Sequence, residues 1–424
     1  MKKLWSMVLV MMLIVSLVGC GTTNTAKDAP KDAVEQQGGE LKVGVILPMS
    51  GNMALLGNEI YDAINIAAEM KNKQGGVNGK KIVLAKSDAP DASAGSTQAN
   101  RLVNTENIKL IVGTYSSGIA AAAIPVAMRA NASYIEVNAV ADEITEQGYK
   151  YIWRSVATAN MMGSTASKFA AEYLVPQLNT TKEELRVAII HEDSSWGTSV
   201  SNGVRETAKA NGLNIVCDEG YSAKSNDLSP IILKLIDAKP DVVIASSYIA
   251  DAMLLQKQAQ QFNFRPKAWV GTSAGHALSD YGASLGAASE GIFVADLPGI
   301  VNDKALDEDA IKLKNDFLAE WNSSHNKAVT GLSMGAFTGA WAFFNDVLPQ
   351  CKTFDAEEIR GIYFNLDKPT GSMSDGMGVK YDSTGQNERA YIAIEQWQGG
   401  ALEAVWPENI ATKQPNSIPL PAYK

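Results

Sequence analysis

Histidine and cysteine are scarce in this chain, with three of each in 424 residues. His191, His276 and His325 stand far apart, no two histidines share i, i+4 spacing, and no C-x-x-C occurs, so the sequence predicts no metal site and no resident cofactor. Glycine-rich phosphate loops are missing too: no predicted strand runs into G-x-G-x-x-G or G-x-x-x-x-G-K-[ST]. Nor is there a surplus of positive charge. Lysine and arginine number 37 against 46 acidic residues, a formal charge of −9, which argues against a nucleic-acid partner, since phosphate binding needs a basic face.

Long apolar runs are confined to the start. After Lys2 and Lys3 the stretch Leu4 to Val18 is broken only by Ser6 and Ser16 and ends in Gly19-Cys20. Its length is near the lower limit for spanning a bilayer, and small residues followed by the polar GTTNTAKDAP mark it as a signal peptide, residues 1–19, rather than a membrane helix. Leu17-Val18-Gly19-Cys20 resembles the bacterial lipobox, in which the cysteine sulfur receives a diacylglycerol, so Cys20 is the expected lipid attachment site and a membrane anchor. Residues 20–40 then read as a flexible tether with a reach of roughly 25 Å. Removing Lys2 and Lys3 leaves 35 basic residues and a charge of −11. Only Cys217 and Cys351 remain as potential thiols, too few for a disulfide framework.

From Leu41 onward short β-branched runs alternate with helix-period segments, the pattern of βαβ units and parallel sheets, hence an α/β fold. Residues 41–47, 81–88, 110–113 and 134–139 read as strands, and Ile60, Ile64, Ala67 and Ala68 share one face of a crossover helix that stops at Gly75-Gly76. A second series follows YIWRSV (151–156), with strands predicted at 186–193, 213–221, 241–247 and 267–272 and helices between them. Two similar lobes follow from this count. Beyond residue 299 the pattern is mainly helical, at 304–321, 335–348 and 356–363, and then VKYDSTGQ, RAYIAIEQW and LEAVW read as short strands. These late pieces would bury little core alone, so they are expected to return and complete the two lobes.

Ligands of open α/β sheets sit beyond the carboxyl ends of the strands, which directs attention to the residues after each one. Those segments are LPMSG, GTYSSG, VNAVAD, HEDSSWG, SSYIAD and GTSAGH. They are rich in serine and glycine, with Tyr115, Trp196 and Tyr248 interspersed: hydroxyls and N–H groups for a small polar head, rings for an apolar body. Each residue also has a plain structural role available, because turns and helix caps require the same types, and His276 reads as a surface residue. Ser116-Ser117-Gly118 opens a helix running through Ala121 to Arg129, where an anion such as a carboxylate is favoured. GTSAGH also fits the G-x-S-x-G nucleophile elbow, with His325 downstream and Asp307 and Asp316 between, so an acyl hydrolase built on Ser273 meets the required chain order.

The stretch LKVGVILPMSGNMALLGNEIYDAINIAAEMKNKQGGVNGKKIVL, followed by IVGTYSSGIAAAAIPVA, EITEQGYKYIWRS, VAIIHEDSSWGTS, ASEGIFVAD and VKYDSTG, resembles the leucine/isoleucine/valine-binding family, the type I periplasmic solute-binding proteins of ABC transporters. The resemblance runs from Leu41 to about Trp406. It implies two Rossmann-like lobes joined by a three-crossing hinge, with a small-molecule ligand closed in the cleft between them and handed to permease subunits in the membrane. A monomer and no catalytic residue are implied with it. The crossings would lie near 156–159, near 294–298 and after Asp382, giving a first lobe of 41–157 plus 298–382, a second of 158–297 plus 383–410, and a tail of 411–424. Cys217 and Cys351 would then sit in different lobes as unpaired thiols.

Family contacts carry over by position. Ser116, Ser117 and Gly118 occupy the loop that binds the ligand carboxylate, with Ser50 and Tyr115 on neighbouring strand-end segments. Asn138, Ala139 and Val140 form a loop that usually ends in threonine and helps hold carboxylate and ammonium, so Val140 departs from the pattern. Leu56 replaces a common pocket aromatic, whereas Trp196 and Tyr248 keep theirs; Pro90 and Ser116 stand where some relatives carry a disulfide. Ser273 occupies a position often held by a glutamate that pairs with the ammonium. Without that charge either Asp251 or another carboxylate substitutes or the ligand lacks the amine, because a buried ammonium with no counter-charge is costly. Hydrophobic amino acids lead the expected ligands, and aromatic or short aliphatic carboxylates, amides and urea-like solutes stay open, as does a sensing rather than transporting role.

Overall fold

A computed structural model describes residues 38–423. The signal peptide, Cys20 and most of the tether lie outside the described residues. Two sheets organise the chain. The first contains β1 (Glu40–Leu47), β2 (Lys81–Asp88), β3 (Leu110–Gly113), β4 (Ser133–Glu136) and β5 (Ile152–Arg154), in the order β2-β1-β3-β4-β5 and parallel throughout. The second contains β6 (Arg186–Glu192), β7 (Asn214–Tyr221), β8 (Val242–Ser246), β9 (Ala268–Thr272), β10 (Phe293–Asp296), β11 (Ala393–Gln398) and β12 (Ala401–Trp406), in the order β12-β11-β10-β9-β8-β6-β7. Its five strands from β6 to β10 are parallel, and β11 and β12 add an antiparallel hairpin at one edge. This is the α/β, type I arrangement of two lobes, each a mostly parallel sheet flanked by helices.

Central strands such as β3, β4, β8 and β9 are buried at every position, which explains their continuous apolar sequence rather than an alternating one. The Ala54–Lys73 helix covers the first sheet with Leu56, Ile60, Ala63, Ile64 and Ala67, the face its 3.6-residue period predicts. In the second lobe the Ala159–Phe169 and Ser195–Asn211 helices cross closely at two glycines: a Cβ on Gly163 would meet the Val200 carbonyl oxygen at 2.0 Å, and one on Gly203 the Asn160 carbonyl oxygen at 2.2 Å.

Several expectations need correction. VKYDSTGQ forms no strand; it makes isolated bridges, Lys368 to Val379, Arg154 to Gln386 and Tyr381 to Asn387, around a turn in which the Asp382 carboxylate takes N–H groups from Thr384 and Gln386. The strand expected to reach Ala139 stops at Glu136, whose carboxylate captures the N–H groups of Val137, Asn138 and Ala139 and curls the backbone. A helix at Ala92–Asn100 was not anticipated, and it starts where Asp91 accepts from the Ala94 N–H at 2.8 Å. The helix expected from residue 335 begins at Gly331 because Thr330 and Ser333 form a capping box. Residues 411–423 lie along the second lobe, with Leu420 buried and its N–H bonded to the Lys267 carbonyl. Cys217 is half-buried and Cys351 buried, and both are free. Among the described residues no helix is long and apolar enough to cross a membrane.

Candidate functional site

The carboxyl ends of β3 and β4 from one sheet and of β6, β8, β9 and β10 from the other converge. The contact that shows it is aromatic: the Tyr115 ring, after β3, meets the Tyr248 ring, after β8, edge-on at 6.3 Å between centroids, and Tyr248 continues to Trp196, after β6, at 5.0 Å. Tyr115 and Trp196 are buried and Tyr248 half-buried. The Ser116 and Ser194 hydroxyls favour the ionised Tyr248 phenol, but burial outweighs them and pushes its pKa up. Ser116 stands at the N-cap of the Ser117–Arg129 helix without a side-chain cap bond; its carbonyl accepts from Ile119 and Ala120, while the Ser117 and Gly118 N–H groups lack intrahelical acceptors and so present positive potential.

Other anticipated residues have different surroundings. Ser117 turns inward, its hydroxyl accepting from the Ala141 N–H at 3.1 Å, while Gly118 is exposed. Ser50 is exposed, with its N–H on Asp88, and Leu56 is fully buried. Asn138, Ala139 and Val140 are buried, but the N–H groups of Asn138 and Ala139 already serve Glu136, so they are not available to a ligand carboxylate. The Val140 carbonyl accepts from the Ala159 N–H at 2.7 Å, tying this loop to the start of the Ala159–Phe169 helix.

Ser273 is buried and holds φ +43°, ψ −161°, a backbone shape that costs a non-glycine residue on the order of 1–3 kcal/mol. Its N–H is pinned to the Ala295 carbonyl at 2.8 Å, and its hydroxyl lies beside Asp296. Among the described residues no imidazole bonds its hydroxyl. His325 pairs with Asp62 at 3.0 Å, and His276 is not on the surface as expected: it is fully buried against Tyr281, its ring nitrogens unpartnered and its pKa pushed down to about 3 by desolvation.

Sequence reasoning missed three carboxylates that the fold buries here. Glu136 accepts from Thr114, Val137, Asn138 and Ala139. Glu192 accepts from Ser194 and from the Gly197 N–H at 2.9 Å. Asp296 ends β10, and the strand-end rule applied to GIFVAD would have found it. Asp251, suggested only as a substitute counter-charge, is buried beneath the site, bonded to the Tyr221 hydroxyl, with its pKa raised to about 6 by burial. Among the described residues neither Glu192, Asp251 nor Asp296 has a salt bridge.

These groups make stability depend on pH. Burial raises Asp251 to about 6, Asp375 to about 7, and Asp296 and Glu395 as well, so their contribution is present below their unfolded values and is lost as pH rises through the folded ones. His276, lowered, acts oppositely: its contribution is present above the unfolded value and is lost on acidification. With Glu136, also raised by burial, five carboxylates act against one imidazole, so the protein is expected to be more stable at pH 5 than at pH 7, by on the order of a few kcal/mol. Urea melts at the two values check this, and Asp375→Asn should remove much of the difference.

A family description, periplasmic binding protein, matches residues 40–400. The chain belongs to that family. A Leu/Ile/Val-binding protein homolog of Brucella abortus is 34% identical over 374 residues, covering 88% of this chain and 92% of the relative. Among solved structures, a leucine-binding protein of Thermotoga maritima superposes with a TM-score of 0.75 at 18% identity, over 86% of this chain and 97% of that one. A solute-binding protein of R. palustris in complex with 4-hydroxybenzoate does so with 0.73 at 21%, over 90% and 99%. The periplasmic binding protein fold accounts for the facing strand ends, and its relatives include proteins described with an amino acid and with an aromatic acid.

Proposed function

We propose that this periplasmic binding protein is the extracytoplasmic, lipid-anchored receptor of an ABC importer, held by Cys20 and acting as a monomer. It binds a small hydrophobic or branched-chain amino acid, or a related small carboxylate or amide, by closing its lobes and delivering the solute to the permease. The observation that carries this reading is the aromatic contact between facing strand ends, Tyr115 on Tyr248 and Tyr248 on Trp196, beside the open helix start at Ser116. Rings enclose an apolar body while the helix start suits a carboxylate, and contacts completed only on closure favour the closed state. The neutral residues at 140 and 273 favour a second reading, a receptor for an aromatic acid, amide or urea-like solute. A hydrolase gains no support, since Ser273 faces a carboxyl and not an imidazole.

A thermal-shift panel of amino acids, aromatic acids, amides and ureas tests the proposal, because ligand at 100 times its dissociation constant adds about 2.7 kcal/mol. At least one solute should raise the melting temperature. Turnover of ester substrates with no shift from any solute would sink the receptor reading. Ser273→Ala should change solute affinity by about 1 kcal/mol or less, as one hydrogen bond does, and would abolish turnover in a serine hydrolase.

A further inference from the structure

The acid absent from position 273 stands one strand away. β9 and β10 run parallel with Ala295 opposite Thr272, which sets Ser273 and Asp296 side by side where the strands end. Asp296 is fully buried. One oxygen accepts from the Leu297 N–H at 2.7 Å, and the Ser273 hydroxyl is near enough to favour the charged form, yet among the described residues Oδ2 has no hydrogen-bond partner. The carboxylate acting on it from a packed helix is Glu59, already answered by Lys327 at 2.9 Å and by Thr330; Glu395 faces it from β11. Among the described residues no lysine or arginine is a main influence on Asp296.

Its neighbours in the site differ on this point. Glu192 is supplied by backbone and serine donors, and Asp251 by the Tyr221 hydroxyl. Three further buried polar atoms around the site share the condition of Asp296: Glu395 Oε2 on the facing strand, and two neutral oxygens, the Tyr115 hydroxyl, which feels the Asp296 charge, and Asn138 Oδ1. Asn138 reaches the same helix start as the β10 end, since its amide donates to the Leu332 carbonyl while Gly331 lies against the Leu297 carbonyl. An ammonium brings one positive charge and three donors, which is what one carboxylate and two neutral oxygens lack.

Resting on the receptor reading, we infer that Asp296 receives the ammonium of the ligand, with the Tyr115 and Asn138 oxygens as its other acceptors, so that the receptor selects solutes bearing a primary amine over isosteric acids without one. The acid has moved from the end of β9 to the end of β10, and Ser273 orients it. The carboxylate end of an amino acid would then face the helix start at Ser116, across the aromatic contact.

Matched solutes test this by calorimetry and thermal shift: leucine, 4-methylpentanoate and 3-methylbutylamine, with phenylalanine, 3-phenylpropanoate and 2-phenylethylamine as a second set. The wild-type protein should bind at least one amino acid more than 30-fold more tightly than its deaminated partner. Asp296→Asn should lower that affinity by a similar factor and collapse the amine-to-acid ratio toward one, with the melting temperature of the free protein unchanged or raised. A merely structural role for Asp296 would weaken both solutes together and leave the ratio intact, which overturns the inference. So would a deaminated acid binding as tightly as its amino acid, in which case the receptor reading survives. If no solute of the wider panel binds, the receptor reading itself fails and this inference with it.

Discussion

Arg154→Met should lower the stability of the protein by about 3–5 kcal/mol, the cost of removing one partner from a buried charged network. Arg154 ends β5 and is fully buried. Its guanidinium donates in three directions: to the Ala141 carbonyl at 2.5 Å, to the Thr145 hydroxyl at 3.0 Å and to the Gln386 side chain at 2.6 Å. Burial lowers its pKa to about 10 against the opposing pull of Asp142, Glu136, Glu146 and Asp382. Gln386 in turn donates to the Val156 carbonyl, and Asn387 to the Ser155 carbonyl, so the guanidinium anchors the segments on either side of residue 155 to the returning chain near 386. Methionine fills the volume and satisfies none of the three acceptors. Lysine should recover less than half the loss, because a point charge cannot span three divergent acceptors. Urea denaturation followed by circular dichroism measures both, and Arg360→Met, on the outer face of the Ala356–Asn365 helix, expected within about 0.5 kcal/mol, is the control. A loss below 1 kcal/mol for Arg154→Met would show that the network is not a structural tie.

Tyr248→Ala should weaken the most stabilising solute by about 2 kcal/mol or more, roughly 30-fold, as truncation of a central buried aromatic does at a binding surface. The ring stands between Tyr115 of one lobe and Trp196 of the other, so its removal takes away an apolar wall and the contact that joins the facing strand ends. Tyr248→Phe keeps both ring contacts and gives up only the hydroxyl, which lies near Ser194 and Ser116, so it should lose about 1 kcal/mol. Titration calorimetry separates the two substitutions. Binding within threefold of wild type for the alanine variant would place the ligand elsewhere.

Much of this architecture was legible in the chain. Strands β1 to β4 and β6 to β9 announced themselves as β-branched runs, the central ones because both faces of a parallel sheet are buried, whereas the three-residue β5 did not stand out, and the helix starts near Ser116 and Trp196 followed directly from strand ends rich in serine. The Ala92–Asn100 helix was not legible: ASAGSTQAN has almost no apolar period, and its stability comes from the Asp91 cap and from Gly95 pressed against Ile119 of the next helix. His276 was misjudged for the same kind of reason, since its burial is imposed by Gly271 and Tyr281, and Trp397 closes over it by donating to its carbonyl.

The division follows from what each level can fix. Periodicity and end signals are local, so the sequence alone determined two α/β lobes and the strand-end position of Tyr115, Ser116, Trp196, Tyr248 and Ser273, while the departures at Val140 and Ser273 came from the family resemblance. Whether a charge is answered is not local. Glu136, Glu192, Asp251 and Asp296 look alike in the chain, and only folding supplies Glu136 with loop N–H groups, Glu192 with a helix start and Asp251 with Tyr221. The tertiary structure alone left Asp296 Oδ2 buried without a partner, because its neighbours arrive from β9, β11 and a helix more than 200 residues away in the chain.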